Sequence, residues 1–238
     1  VKNGHTDLFM YKIDKGTVDQ LTNDVWDDLD ASFVSFPNKY GIIFASNRPS
    51  PEDKGSDTSI PSKNHYNVFL IDAVKKGGAR QITQLTNLKY GNARFPTQYN
   101  VNHFTFVSDE SGIGNRYAGF FTTKAEGLDT LVVVGDEILR NPPKKELDST
   151  LKVWGRNEPD SIGYIALTKD STYTFPLTNY QSSITETRTC GEIGQVSEVT
   201  RQGDFKFLYR LKVDSLALRN RNVTARPTPF VKGLIANR

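Results

Sequence analysis

The chain predicts an all-β fold made of repeated four-stranded antiparallel units, on three observations. The first is a tripeptide, Leu-Thr-Asn, spelled at residues 21–23, 85–87 and 177–179, each time just after a short apolar or β-prone stretch. The second is that two of these copies bring their surroundings with them. Asp7-Leu8-Phe9-Met10-Tyr11-Lys12-Ile13-Asp14, then Gln20-Leu21-Thr22-Asn23, answers Asn67-Val68-Phe69-Leu70-Ile71-Asp72, then Gln84-Leu85-Thr86-Asn87. The third is a succession of short stretches rich in β-branched and aromatic residues with turn signals between them. Self-similarity on this scale marks a repeat architecture.

The match runs past the signature. Ala31-Ser32-Phe33 answers Ala93-Arg94-Phe95, and Ile43-Phe44-Ala45-Ser46-Asn47-Arg48 answers Thr105-Phe106-Val107-Ser108-Asp109-Glu110, so four strand-like pieces make one unit. The first spacing is 64 residues and contains a 16-residue run, Pro49 to Asn64, of loop composition, which leaves a unit of 48. The second spacing, 92, is then close to two units, and a degenerate signature is expected near residue 131, where the chain reads Asp129-Thr130-Leu131-Val132-Val133-Val134.

In order, the predicted strands are Leu8 to Ile13, Asp19 to Leu21, Ala31 to Phe36, Gly41 to Ser46, Asn67 to Asp72, Arg80 to Leu85, Ala93 to Gln98 and His103 to Ser108. Asp14-Lys15-Gly16, Pro37-Asn38-Lys39-Tyr40-Gly41 and Lys75-Lys76-Gly77-Gly78 have the composition of hairpin turns, supplying residues that accept positive φ or bond locally to the backbone. Less regular strands follow at Ala118 to Lys124, Leu128 to Val134, Leu151 to Trp154, Ile162 to Leu167, Thr172 to Leu177, Gly194 to Thr200 and Phe205 to Val213. No long amphipathic helical period is present.

Composition narrows the function classes. With 238 residues, 37% hydrophobic and 24% charged, the chain can bury a sizeable core. The formal charge of +3 comes from scattered residues, with no basic stripe of the kind a nucleic-acid partner requires. The apolar runs are too short to be membrane-spanning helices. One cysteine, Cys190, rules out an intramolecular disulfide and a multi-thiolate metal site, and is read as a packing residue. Cysteine poverty fits an oxidising compartment. The start on Val1, inside a repeat, suggests that an upstream portion has been removed.

Four antiparallel strands per unit of this length, repeated, is the arithmetic of a β-propeller blade. The unit resembles the TolB-like β-propeller repeat, a relative of the tryptophan-aspartate repeat, through Phe44-Ala45-Ser46-Asn47-Arg48, Val68-Phe69-Leu70-Ile71-Asp72 and Gln84-Leu85-Thr86-Asn87. The resemblance covers residues 4 to about 124 and fades to degenerate copies over 125–238. About four to five blades are counted, as one domain or as a segment of a larger ring. A small separate β domain over the last hundred residues is the alternative. The resemblance implies the bacterial periplasm or cell envelope, with an envelope protein or peptide as partner.

In an up-and-down blade, the link between blades shares a face with the link from the second to the third strand. Asn23 to Asp30, Pro49 to His65, Asn87 to Asn92, Glu110 to Arg116 and Gly135 to Ser149 are thereby placed on one long-loop face, the candidate binding surface. Asp24, Trp26, Asp27, Asp28 and Asp30 gather four carboxylates and an indole in seven residues, a set for Ca²⁺, a cationic partner or a sugar, or else caps for the next strand. Asn92 lies in the equivalent link. Arg48, Arg94, Arg116 and Arg188 are placed near the same rim, to hold a partner carboxylate or to pair with Asp27 or Asp109. Trp154 is read as core.

No histidine pair has metal-ligand spacing, no nucleophile elbow or phosphate loop is present, and Gly112-Ile113-Gly114 reads as a turn. The reading is a non-catalytic protein- or peptide-binding propeller module. The alternatives are a carbohydrate-binding or carbohydrate-cleaving propeller and the gating propeller of a serine peptidase.

Overall fold

The structure is a computed structural model, in which residues 4–37, 39–50, 65–72, 81–88, 90–190, 194–221 and 223–237 are described. The chain is mostly β, with several small antiparallel sheets. It divides into two compact units, residues 1–121 with 172–238, and residues 122–171. The predicted loop Pro49 to Asn64 falls almost wholly outside the described residues, as do the turn Lys75 to Gly78 and Asn222 of the sequon Asn222-Val223-Thr224.

The first unit is a succession of meanders. β1 (Phe9–Lys12) and β2 (Thr17–Gln20) form a hairpin, and β3 (Asp28–Phe36), β4 (Lys39–Ser46), β5 (Asn67–Asp72) and β6 (Ile82–Gln84) form a four-stranded sheet in chain order. The next sheet starts with β7 (Ala93–Asn100), β8 (His103–Ser108) and the first part of β9 (Asn115–Val134). A last sheet holds β12 (Ile184–Cys190), β13 (Gln195–Gln202) and β14 (Phe205–Lys212). Each sheet buries a cluster against the one before it. Leu8 packs with Ile42, Phe44, Phe69 and Ile71; Val34, Phe36, Val68 and Leu70 pack with Phe104, Phe106 and Tyr117; Tyr99, Ala118 and Phe175 pack with Val196. Central strands covered on both sides lose the usual alternation, which is why Gly41 to Ser46 is buried throughout. At the cross-strand pair Phe104–Gly119, a Cβ on residue 119 would run into the Phe104 ring.

The Leu-Thr-Asn signature has one structural job, done three times. The leucine N–H donates to a carbonyl at the start of the strand it closes on, β1, β5 or β9: Leu21 to Leu8 (2.8 Å), Leu85 to Val68 (2.7 Å), Leu177 to Arg116 (2.8 Å). The threonine hydroxyl then accepts the N–H of that same residue, at 2.9 Å for Thr22, 2.8 Å for Thr86 and 2.9 Å for Thr178. In the second and third copies the hydroxyl also donates to an asparagine, Asn67 or Asn115, at 3.0 Å in each case.

This geometry revises the spacing argument. No unit ends near residue 131. Instead, β9 continues to Val134 and turns through Gly135-Asp136 into β10 (Glu137–Arg140), and the sheet started by β7 is closed by the end of β11 (Ser161–Pro176) and Leu177. The second spacing is one repeat plus residues 122–171, inserted between the third and fourth strands. The register also corrects one alignment: Asp28 opposite Ser46 corresponds to Ala93 opposite Ser108, so Ala31 is not the counterpart of Ala93.

In the second unit, Leu151 to Trp154 is not a strand. It ends α1 (Lys144–Val153), which starts after Pro142-Pro143, where proline is tolerated and Glu146 sits in the first turn. Trp154 is 37% exposed and lies against Gly135, whose φ of +61° makes the hairpin turn. Asp160 accepts the Gly135 N–H at 2.6 Å, and Asp129 is held by Arg140 and Asn141, whose bonds keep its carboxyl below the ordinary value.

After β14 the chain folds back over the first unit. α2 (Ser215–Asn220), capped by Asp214, packs Leu218 beside Tyr99 and Phe175; α3 (Pro229–Ala236) follows Thr228. Arg226 N donates to Asn179 Oδ1 (3.1 Å) and Thr228 N to Ser111 O (2.9 Å), so this tail covers part of the expected long-loop face. Gly135 to Ser149, also expected on that face, belongs to the second unit.

Two outcomes are expected. Thr86→Val and Thr178→Val each leave a backbone N–H without its acceptor and cost about 1–3 kcal/mol in denaturant unfolding. Gly135→Ala places a Cβ on the Trp154 ring at a left-handed position, so amides of residues 130–140 lose hydrogen-exchange protection while those of β8 keep theirs.

Candidate functional site

The predicted rim residues are brought together in three separate groups. In the first, Arg48 turns back from the end of β4. Its Nη2 donates to Asp28 at 2.8 and 3.0 Å and to Asp24 at 3.3 Å, and its Nε donates to Ser46 Oγ at 3.0 Å. Its guanidinium lies 5.4 Å from the ring centres of Trp26, Phe44 and Phe69. Burial raises the Asp28 carboxyl, and Arg48, Ser46 and Thr22 pull it back. Asp27 caps the preceding sheet, accepting from Thr6 N (2.9 Å) and Thr6 Oγ1 (2.7 Å). Asn92 does the same one sheet on, accepting from Tyr66 N at 2.9 Å, while Asn92 N donates to Asp109 at 2.5 Å. Asp24 and Asp28 thus share Arg48 while Asp27 serves Thr6, and Trp26 has a face under Arg48. Among the described residues, no group of three or more His, Cys, Asp or Glu can hold a metal ion.

The second group lies where β3 and β7 begin. Both strands bulge there, and both use a non-glycine residue in the left-handed region: Asp30 at φ 56° and Phe95 at φ 53°. Such positions cost about 1–3 kcal/mol each and persist only where neighbours hold them. Here the holding group is the Asp30 carboxylate, which accepts from Phe95 N (3.0 Å) and Arg94 Nε (2.7 Å). Arg94 also stacks on Tyr66 (5.1 Å) and keeps about a third of its side chain exposed (34%). Further along the same strands runs a polar groove of about 650 Å³, lined by Ser32, Ser35, Thr97, Gln98, Asn100 and Thr189. Its walls are tied together: Thr97 to Thr189 (2.8 Å), Thr189 to Gln98 O (2.8 Å), and Gln98 to both Ser35 N (2.8 Å) and Ser35 O (3.0 Å).

The third group is buried. Arg116 on β9 pairs with Glu198 on β13, donates to Thr187 Oγ1 (3.3 Å) and lies over Tyr99; the Tyr180 hydroxyl donates to Glu198 at 3.3 Å. Burial lifts the Glu198 carboxyl, against the opposing pull of Arg116 and the Tyr180 bond, and burial beside Glu198 pushes the Tyr180 phenol up to about 12. Arg188, opposite Ser197, is on the face of the last sheet turned away from this pair.

Arg48, Arg94 and Arg116 therefore do pair with carboxylates, but with Asp24, Asp28, Asp30 and Glu198 rather than Asp27 or Asp109, while the Arg188 guanidinium donates to Thr187 O. The groove hydroxyls and Gln98 were not singled out from sequence. The available signal was the small hydroxyl residues Ser32, Ser35, Thr97 and Thr189 on β3, β7 and β12, strands whose mixed polar composition does not set them apart. No known protein family matches the chain, and no curated protein matches its sequence.

Arg116→Met leaves Glu198 buried without its counter-charge and is expected to cost about 3–5 kcal/mol, most of it recovered in the Arg116→Met, Glu198→Leu double variant. Glu198 also sets a pH dependence. Its proton is held more tightly in the folded state than in the unfolded chain, so its contribution to stability is greatest below the ordinary value of 4.5 and is lost as pH rises through the raised folded value. The difference in unfolding free energy between Glu198→Gln and the parent therefore changes over that window, measured by urea unfolding at successive pH values.

Proposed function

We propose that this chain is a β-propeller segment acting as a non-catalytic module that binds an extended peptide or protein segment. The propeller reading is supported by consecutive antiparallel meanders, each packed on its predecessor, with the first strands β3, β7 and β12 at sheet edges and tied to one another by side chains. The observation that carries the binding reading is the groove along these edges. It is lined by hydroxyls and amides that bond to one another across its walls and would exchange those bonds for a peptide backbone's, with the strained Asp30–Arg94–Phe95 mouth holding a partly exposed guanidinium beside it. Strained non-glycine backbone concentrates at functional positions. The resemblance to TolB-like repeats favours the bacterial periplasm or cell envelope as its location, with an envelope protein as the source of the segment.

A carbohydrate ligand is the second reading, favoured by Phe33, which is 59% exposed and lines the same hydroxyl-rich groove. The two are separated by screening the chain against an extended-peptide library and a glycan panel, then titrating the best ligand. A peptide ligand weakened about tenfold by Thr97→Val, and by Arg94→Ala, with circular dichroism unchanged, supports the first reading. Glycan binding sensitive to Phe33→Ala moves the function to the second. Ligand binding indifferent to all three variants removes the groove from both.

A further inference from the structure

Three sheets of the first unit are closed by a Leu-Thr pair, on Leu8, Val68 and Arg116, and the last sheet is not. By register, Leu208 opposite Val199 holds the place of Val68 opposite Ala45 and of Arg116 opposite Val107. Those two residues spend their outward N–H and C=O on Thr86 and Leu85, and on Thr178 and Leu177. β14 instead ends its sheet, and among the described residues no strand lies beyond it. The chain that follows does not supply one, since Val213 N bonds to Gly194 O and Asp214 starts α2. Where Asn67 and Asn115 receive the threonine hydroxyl, the last sheet has Phe207, opposite Thr200. Among the described residues this sheet has neither a fourth strand nor an asparagine at this place.

The free edge has two distinct sides, and all eight of its residues are exposed. Phe205, Phe207, Tyr209 and Leu211 share one face with Glu198 and Thr200. A small cavity of about 270 Å³ opens there between Tyr180, Thr200, Tyr209 and Leu211. Thr200 is 5% exposed and its hydroxyl has no partner among the described residues. The other face carries Lys206, Arg210 and Lys212, continued across the sheet by Arg201 and Arg188. Glu186 lies on the same face and Asp204 in the adjoining turn, leaving an excess of positive charge.

We propose that β14 is a docking edge for an extended strand of a partner protein in which acidic residues alternate with aliphatic ones. Pairing satisfies the outward backbone groups, the aliphatic residues cover the Tyr209–Leu211 face and its cavity, and the acids face the five cations. A second copy of this edge is a poor occupant, because it brings Lys206, Arg210 and Lys212 against like charges; basic edges are a known guard against self-pairing. The site uses none of the groove residues, so it stands or falls separately from the groove reading.

The test uses the whole chain with two labelled peptides of about eight residues, one alternating Glu and Val, the other alternating Lys and Val. The expected result is salt-sensitive binding of the Glu peptide only, with the Leu208 amide exchanging fast in the free chain and protected in the complex. Leu208→Pro removes an N–H that points away from the sheet, is tolerated there, and weakens binding at least about tenfold. Lys206→Glu with Arg210→Glu reverses the preference toward the Lys peptide, a readout independent of the proline variant. Equal binding of both peptides, binding without protection of Leu208, or protection of Leu208 in the free chain overturns the proposal. A concentration-dependent dimer abolished by Leu208→Pro overturns it in favour of self-pairing.

Discussion

The first three sheets of the first unit depend on a knot of two hydrogen bonds, made at one residue of each. A leucine N–H and a threonine hydroxyl close on the carbonyl and the amide of Leu8, Val68 or Arg116. At Val68 this happens in a fully buried place, where a slip of one residue leaves an amide unpaired and turns every apolar side chain to the wrong face. The knot fixes the register of the fourth strand on the third. Asp27, Asn92 and Ser183 then hook the start of the next sheet to Thr6, Tyr66 and Gly114, so each sheet is delivered against its predecessor in a set position. The apolar clusters follow from that placement.

Charge is handled in a way that separates structure from recognition. Arg48 and Arg116 are drawn into aromatic surroundings and neutralised by Asp28 and Glu198, where an unpaired charge is costly. These pairs specify which strands meet; they are poorly placed to hold an outside ligand. What remains accessible is the polar groove along β3, β7 and β12 and the alternating edge of β14. The two offer different chemistry: hydroxyls and amides in one, cations and exposed aromatics in the other. Residues 122–171 enter between a third and a fourth strand whose ends are already neighbours, a place where extra chain costs little closure entropy.

The strands of residues 8–108 were legible from local pattern, because β-branched and aromatic stretches bounded by turn residues prefer extended backbone wherever they are packed. Their order within each sheet followed from short links. The helix at Lys144–Val153 was missed, since its Leu-Lys-Val-Trp end has strand-like composition while its start has Pro143 at the N-cap without a side-chain cap bond and only Glu146 in the first turn to mark it. The rim was legible in part. A capping role could be read for the acidic loop of Asp27 but not for Asn92, and not the partners of Arg48, Arg94 and Arg116, which come from strands far apart in sequence.

The sequence alone determined the repeat, the meander and the closing signature, all properties of residues within one unit whose hydrogen bonds are short in range. Only the tertiary structure decided that Leu177 closes on Arg116 across the intervening unit, that Ser32, Thr97 and Thr189 face one groove, and that β14 has no strand beside it among the described residues. Those outcomes depend on which distant segments share a sheet or a face, and long-range pairing is set by the packing of whole sheets rather than by any local preference.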